Sequence, residues 1–118
     1  MRHTLTIPDW HPPKANHYRG RHWSAEHKAK RACAEFIALY AAQAGIPRAI
    51  SKRRVHPAIT LGPRDRQPDD DAFDKVLYDA LVRCGLLLDD GPALCERCRI
   101  VFWRGRRRAT TIYLEDME

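Results

Sequence analysis

Glycine and proline divide this chain into short segments, and that division limits its fold more than any other feature of the sequence. Pro8, Pro12 and Pro13 interrupt the chain soon after its start. Residues 3–7 are therefore expected to form a short strand and residues 8–23 a long loop, because proline removes a backbone donor and fixes φ.

Two segments have the pattern of amphipathic helices. Residues 24–44 begin at Ser24, a good N-cap, end at Gly45, and carry apolar residues with a period near 3.6. A second helix is predicted over residues 73–84, where Gly85 stops it.

The other apolar segments are expected to be extended. Residues 55–61 predict a strand, residues 86–88 a short extended run, and residues 94–103 and 109–114 a strand pair joined by a basic, glycine-containing turn. The order strand, helix, strand, helix, strand, strand predicts a single α/β (α+β) domain over residues 1–118. Its small mixed sheet would be packed against two main helices.

Positive charge is concentrated in the first half of the chain. The whole sequence has 21 Lys and Arg against 15 Asp and Glu, a net charge of +6. Residues 1–68 hold 13 bases and 4 acids (+9), whereas residues 69–118 hold 8 bases and 11 acids (−3). A basic half with interspersed aromatic residues favours a nucleic-acid partner. The alternative is a solvated surface that serves solubility alone.

The sequence indicates an intracellular protein, and small chains like this one often come from phage or prophage. It has no apolar stretch near the roughly 18 residues that a membrane span needs, and no signal peptide is expected at its start. Its four cysteines are expected to be reduced thiols in the cytoplasm. Cys95 and Cys98 form one CxxC, but a zinc site requires a second close pair.

Seven aspartates are crowded into residues 67–90 of this basic chain: Asp69, Asp70, Asp71, Asp74, Asp79, Asp89 and Asp90. The second helix extends roughly 18 Å at 1.5 Å per residue, and six extended residues after it cover roughly 20 Å. A return beside the helix would thus bring Asp89 and Asp90 back to Asp69 and Asp71. These aspartates either cap the helix and a turn, or bind a hard divalent cation that offsets their repulsion.

The run PDDDAFDKVLYDALVRCGLLLDD resembles the signature of the RusA-type Holliday junction resolvases, a family of metal-dependent endodeoxyribonucleases. That signature has Asp-x-Asp-Asn, a lysine, Asp-Ala-Leu in a helix, a glycine and a closing Asp-Asp. The matching residues here are Asp69, Asp71, Lys75, Asp79, Ala80, Leu81, Gly85, Asp89 and Asp90. The loop PPKAN is similar to the Pro-Pro-Ser-x-Asn element of the family. The element order agrees as well, so the resemblance covers essentially the whole chain.

The resemblance implies a homodimer that resolves Holliday junctions and other branched DNA by nicking phosphodiester bonds in recombination and repair. The implied cofactor is Mg²⁺ or Mn²⁺, with no nucleotide cofactor. Asp69, Asp71 and Asp90 would bind the metal, with Asp89 as a helper, and Lys75 would join Asp69, Asp71 and Asp90 in catalysis. The alternative role of Lys75 is an ion pair with Asp71 or Asp79.

The sequence departs from the family pattern next to this site. Ala72 stands where the family usually has Asn, and Asp70 and Asp74 add charge where neutral residues are common. These differences put the metal preference and the catalytic rate in question more than the reaction class.

Two basic segments are expected to contact DNA. The predicted contacts in the first loop are Lys14, Asn16, Tyr18, Arg19 and Arg21. Cations there suit phosphates and aromatic rings suit unpaired bases, although an ordinary solvated loop would have the same composition. The second segment is the turn at Arg106, Arg107 and Arg108, which either contacts phosphate or guards a sheet edge.

Two other functions are compatible with the sequence. A nuclease of the same family that prefers flaps or forks would have the same residues. A non-catalytic module that binds branched DNA would use the aspartates only as caps.

Overall fold

A computed structural model describes residues 1–14, 23–69 and 71–117, with the side chain of Trp23 left out. Two helices and five strands follow one another within these ranges. They are β1 (Arg2–Pro8), α1 (Trp23–Gln43), β2 (Arg53–Leu61), α2 (Asp74–Arg83), β3 (Cys95–Arg97), β4 (Val101–Arg104) and β5 (Ala109–Asp116). Both predicted helices are thus confirmed to within a residue at each end. No helix in the described ranges is long and apolar enough to cross a membrane.

The strands form one mixed sheet with β2 at its centre. β5 lies antiparallel along one edge of β2, and β1 lies antiparallel to β5. β3 and β4 follow one another along the opposite edge of β2, and both are parallel to it. The prediction of a small mixed sheet with two main helices is confirmed.

The predicted pairing of residues 94–103 with residues 109–114 is wrong. The first segment is divided into β3 and β4, and β2 separates both of them from β5. The reason is that α2 connects β2 to β3 as a crossover, which makes the two strands parallel neighbours. The basic turn then passes the end of β2, where Gly105 donates its N–H to the Leu61 carbonyl at 2.9 Å.

The expectation of an extended run at residues 86–88 is also wrong. Gly85 adopts a left-handed φ of 82°, and the chain turns sharply after α2. The N–H groups of Leu86 and Leu87 both donate to the Leu81 carbonyl, at 3.0 and 3.1 Å. Leu86 and Leu87 are buried, because this turn folds them back onto the core.

The helices cover one face of the sheet. Leu5 and Val55 of the sheet are buried with Ile37 of α1 and Leu77 of α2 in the main core. A smaller cluster with Phe73 at its centre closes the core where β2 ends and α2 begins. Neither α1 nor α2 packs against the opposite face of the sheet.

Arg53 is a buried cation that joins four parts of the chain. Its side chain is only 2% exposed, and its Nε donates to Asp116 Oδ1 at 2.7 Å. Its Nη1 and Nη2 donate to the carbonyls of Leu86 and Pro47, at 3.0 and 2.9 Å. His3 contacts the other carboxylate oxygen of Asp116, at 3.1 Å. These bonds lower the pKa of Asp116, with the Arg53 hydrogen bond as the largest cause.

Candidate nucleic-acid interface and acidic site

Asp69 and Asp71 lie in the turn that leads into α2, and both are exposed. Their carbonyls accept the N–H groups of Ala72 and Asp74, at 3.0 and 3.3 Å. The N-cap residue of α2 is Phe73, and among the described residues no side-chain hydrogen bond caps the helix. The capping interpretation therefore does not account for Asp69 and Asp71. Asp74 lies in the first turn of α2, where the positive end of the helix dipole stabilises a negative charge.

Asp89 has the local role that the turn interpretation gives it. Its Oδ2 accepts the N–H of Gly91 at 3.2 Å, which closes a short turn two residues long.

Asp90 is linked to the second turn of α2 through Arg97. Arg97 Nη2 lies 3.1 Å from Asp90 Oδ2, and its Nε donates to the Asp90 carbonyl at 3.4 Å. The guanidinium of Arg97 also stacks on the ring of Tyr78, 4.1 Å from its centre. Tyr78 is buried, and burial raises the pKa of its hydroxyl. A guanidinium that stacks on α2 thus binds the Asp90 carboxylate, and the return of Asp90 to Asp69 and Asp71 stays a prediction.

The predicted metal ligands Asp69, Asp71 and Asp90 are not grouped as a metal site in the described part of the chain. Within residues 1–14, 23–69 and 71–117, no three His, Cys, Asp or Glu side chains are grouped so that they could hold a metal ion. The donor chemistry of Asp69, Asp71 and Asp90 nevertheless fits Mg²⁺ or Mn²⁺, since all three offer hard carboxylate oxygens. Their arrangement would have to tighten when a cation binds.

Lys75 is exposed on the first turn of α2 and makes no ion pair in the described part of the chain. Asp79, one of its two alternative partners, instead pairs with Lys30 of α1 at 3.3 Å. Lys30 also pairs with Glu26 at 3.4 Å. The ion pair between Lys75 and Asp79 is therefore wrong, and the catalytic role of Lys75 stays a prediction.

A basic clamp lies at the end of β2, formed by the loop at residues 62–66 and the turn at residues 104–108. Arg104 Nη1 donates to the carbonyls of Gly62 and Asp65, at 2.7 and 2.8 Å. Arg108 donates twice to the Asp65 carboxylate, which also accepts the Gly62 N–H at 2.7 Å. The Arg108 hydrogen bonds, followed by the Gly62 N–H, lower the pKa of Asp65 to about 2.

The clamp borders a polar cleft of about 270 Å³ that lies against the start of α2. Lys14, Arg66 and Arg108 line this cleft, and Lys14 Nζ lies 5.9 Å from the centre of the Phe73 ring. The cleft is also lined by Pro68, which directly precedes Asp69. The basic cleft therefore extends to the residue that precedes the acidic run, and the aspartates of that run are not among the residues that line it.

A second, more open cavity of about 370 Å³ adjoins the first through Asp65 and Arg108. Arg64 and Arg106 also line it, and Arg106 and Arg107 are exposed. Arg108 differs from its two neighbours, because it is engaged by Asp65. Arg106 and Arg107 have the exposure that a phosphate contact requires.

Four predicted DNA contacts lie outside the described residues: Asn16, Tyr18, Arg19 and Arg21. Lys14 is the one contact predicted in the first loop that the structure describes, and it lies at the mouth of the cleft.

Sequence reasoning missed the residues that organise the two regions. Asp65 and Arg104 hold the clamp together, and Arg97 holds Asp90. The run GPRDR contains one signal for the clamp, since an acid within a basic turn suggests an ion pair inside the protein. The partner of this acid, Asp65, is Arg108, which lies 43 residues away along the chain.

A comparison with known protein families finds no family model that matches this chain, and no curated protein is significantly similar to it. The likeness to the RusA-type resolvases is thus carried by the residues of the acidic run and of the PPKAN loop.

Proposed function

We propose that this protein is a metal-dependent, structure-specific endonuclease that nicks branched DNA, with four-way junctions as its principal substrate. The observation that supports the proposal is the cleft lined by Lys14, Arg66 and Arg108, which also contains Pro68, the residue directly before Asp69. A phosphodiester hydrolase needs cations to hold the backbone and carboxylates beside them to hold a metal.

The basic clamp would hold the DNA backbone. Arg64, Arg66, Arg106 and Arg107 are exposed on a frame that Arg104 and Asp65 fix. A fixed frame favours binding, because less side-chain and loop freedom is lost when phosphates are engaged. Arg108 would act mainly as a positioning residue, since both of its bonds go to Asp65.

Asp69, Asp71 and Asp90 would hold Mg²⁺ or Mn²⁺. When bound, such an ion lowers the pKa of water and stabilises charge on the phosphate and the leaving oxygen. Asp90 would exchange its partner Arg97 for the cation, and Arg97 would then be free to approach the DNA. Lys75, exposed at the first turn of α2, would orient the attacking water or stabilise the negative charge that develops on phosphate.

A homodimer suits this substrate, because a four-way junction has two-fold symmetry and has to be nicked in two strands. Each protomer would supply one acidic site and one basic clamp.

One observation favours a second candidate, a non-catalytic module that binds branched DNA. Asp90 is paired with Arg97, and in the described ranges no three acidic, histidine or cysteine side chains converge. In such a module the basic clamp would act alone, and divalent cations would have no effect on the DNA.

The test is nicking of an end-labelled four-way junction, with a flap and a linear duplex alongside, in Mg²⁺, Mn²⁺ and EDTA. Metal-dependent paired nicks in the junction support the proposal. Preferential cutting of the flap would instead identify a nuclease that prefers flaps or forks. Junction binding without any cutting in either metal identifies the binding module instead.

A further inference from the structure

Trp103 is an exposed aromatic side chain on β4, directly before the basic turn of the clamp. It is 62% exposed, which is unusual for a tryptophan, since this side chain is highly buried on average. Among the described residues, no other aromatic ring and no cation packs on its indole. The indole is thus available for a contact with another molecule.

The neighbours of Trp103 in the sheet leave room for a flat ligand. Trp103 lies opposite Thr60 of β2, and Thr60 lies opposite Ala109 of β5. Both of these neighbours have small side chains. Within the described ranges, β4 pairs with β2 alone, so Trp103 lies at an edge of the sheet. A planar group can therefore lie against the indole without displacing a large side chain.

Hydrogen bonds hold the backbone around Trp103 in place. The next residue, Arg104, donates from Nη1 to the Asp65 carbonyl at 2.8 Å. Gly105 donates its N–H to the Leu61 carbonyl at 2.9 Å, so the end of β4 is tied to the end of β2. An aromatic side chain on a fixed backbone has only two torsion angles to lose, and it therefore binds a ligand at a low cost in conformational entropy.

The segment around Trp103 is strongly basic. Residues 100–110 contain four arginines and no carboxylate. Arg106 and Arg107 are exposed and make no ion pair in the part of the chain that the structure describes. Arg106 lies three residues after Trp103, so their Cα atoms are at most about 11 Å apart. A DNA strand whose phosphates contact these arginines would therefore bring its bases within reach of the indole.

Only a base that is not paired can stack on Trp103. In a linear duplex each base is already stacked between its neighbours, so such DNA presents mainly phosphates to the basic turn. Flaps, forks and opened branch points present free base faces as well. Cations that follow the backbone, combined with an aromatic ring for the bases, are the combination that binds single-stranded nucleic acid.

Trp103 lies across the sheet from the start of the acidic run. Successive side chains of a strand point to opposite faces, so Phe102 points away from Trp103. On that other face, the ring centroids of Phe102 and Phe73 are 6.4 Å apart, and Phe73 is the N-cap residue of α2. A base on Trp103 would thus hold the branch in position rather than take part in the chemistry.

We propose that Trp103 is a stacking site for an unpaired nucleobase, and that this contact makes the protein bind DNA with unpaired bases more tightly than linear duplex. The inference rests on the proposed function only in taking DNA as the ligand, and it requires neither a metal ion nor cutting.

The test is the binding of the full chain to three labelled DNA molecules in EDTA, measured by fluorescence anisotropy. They are a flap, the same flap with abasic sites throughout its unpaired arm, and a linear duplex. Trp103→Leu should weaken binding of the complete flap at least about fivefold, as the loss of one base–aromatic stack does. It should leave duplex binding nearly unchanged, and Trp103→Phe should keep most of the flap affinity because a ring remains.

Two comparisons separate stacking from other contacts. The abasic flap should bind to wild type and to Trp103→Leu with equal affinity, because it has no base to stack. Trp103→Leu should also keep the salt dependence of flap binding, since no phosphate contact is lost. The matched control is Tyr113→Leu, because Tyr113 is 49% exposed on the same face of the sheet and lies four residues beyond Ala109 on β5. Far-UV circular dichroism establishes that each variant is folded.

Equal weakening of flap and duplex binding by Trp103→Leu would overturn the inference. Equal binding of the complete and the abasic flap by wild type would overturn it too, as would an equal loss of flap affinity in Tyr113→Leu. A changed oligomeric state of Trp103→Leu with flap affinity kept would also contradict it, since the indole would then contact protein.

The outcome for this inference is separate from the outcome for the nuclease proposal. A wild type that prefers flaps through Trp103 but cuts nothing in either metal removes the nuclease proposal and leaves the stacking site. A wild type that nicks junctions, with flap affinity unaffected by Trp103→Leu, removes the stacking site alone.

Discussion

Arg108 holds the carboxylate of Asp65 with two hydrogen bonds, one of 2.7 Å from Nε and one of 2.5 Å from Nη2. This pair joins the loop after β2 to the turn before β5, and Arg104 joins them a second time through main-chain carbonyls. The clamp is therefore a single unit, although its two halves are about 40 residues apart in sequence. Its arginines project from a frame that is already formed before DNA arrives.

The Asp65 carboxyl should titrate near pH 2, well below the usual value of about 3.9. Because its pKa is lowered by folding, its contribution to stability is complete above about pH 4 and is lost as the pH falls toward 2. Carboxyl NMR titration of Arg108→Gln should return the Asp65 pKa toward about 3.9, while Arg106→Gln should leave it unchanged. An Asp65 that titrates near pH 4 in the wild type would rule out the clamp as described.

Arg106 and Arg107 should contribute to DNA affinity through phosphates alone. The double variant Arg106→Gln, Arg107→Gln should weaken junction and duplex binding to a similar extent. It should also reduce the slope of log K against log salt by roughly 2, since each phosphate contact contributes about 0.9. The control is Arg48→Gln, Arg83→Gln, which removes the same charge at exposed positions near the far end of α2. An equal loss of slope in both variants would indicate net charge rather than a specific contact.

The limits of sequence reasoning are visible in particular residues. Ser24 and the glycines that stop the helices are local signals, and they located α1 and α2 to within a residue. The position of β2 between β4 and β5 depends on burial along its whole length, which a local turn motif such as RGRRR does not contain. Helix length predicted that Asp90 returns to Asp69 and Asp71, but spacing carries no information about its partner Arg97.

Removing Arg97 should make the acidic site easier to fill. In Arg97→Gln the Asp90 carboxylate loses its guanidinium partner, so Mn²⁺ should bind several-fold more tightly by calorimetry if Asp90 is a ligand. The loss of the contact with Tyr78 should lower the free energy of unfolding by about 0.5–1 kcal/mol, as for an exposed cation–π pair. Arg99→Gln, another arginine two residues away, is the comparison. Unchanged Mn²⁺ affinity in Arg97→Gln would argue against Asp90 as a ligand.

Asp116 should matter far more for stability than its neighbour Glu115. Asp116→Asn removes the charge opposite the buried guanidinium of Arg53, at a cost of about 2 kcal/mol of unfolding free energy, as for a hydrogen bond to a charged group. Glu115→Gln breaks exposed ion pairs only and should cost less than about 1 kcal/mol. Because folding lowers the pKa of Asp116, the difference between wild type and Asp116→Asn should shrink as the pH falls below 4. Equal effects of the two variants in urea unfolding would contradict this account.

The most direct test of the central claim is junction nicking by Asp71→Asn in Mg²⁺, compared with wild type and with Glu35→Gln. Glu35 is exposed on α1, so its change to Gln removes one negative charge at a position outside the acidic run. Asp71→Asn should reduce nicking at least about a hundredfold, since even residues that only support metal ligands cost roughly 10- to 100-fold when lost. Its junction binding should be unchanged or tighter, and Glu35→Gln should cut like the wild type. Full nicking by Asp71→Asn would contradict a catalytic role for the acidic run.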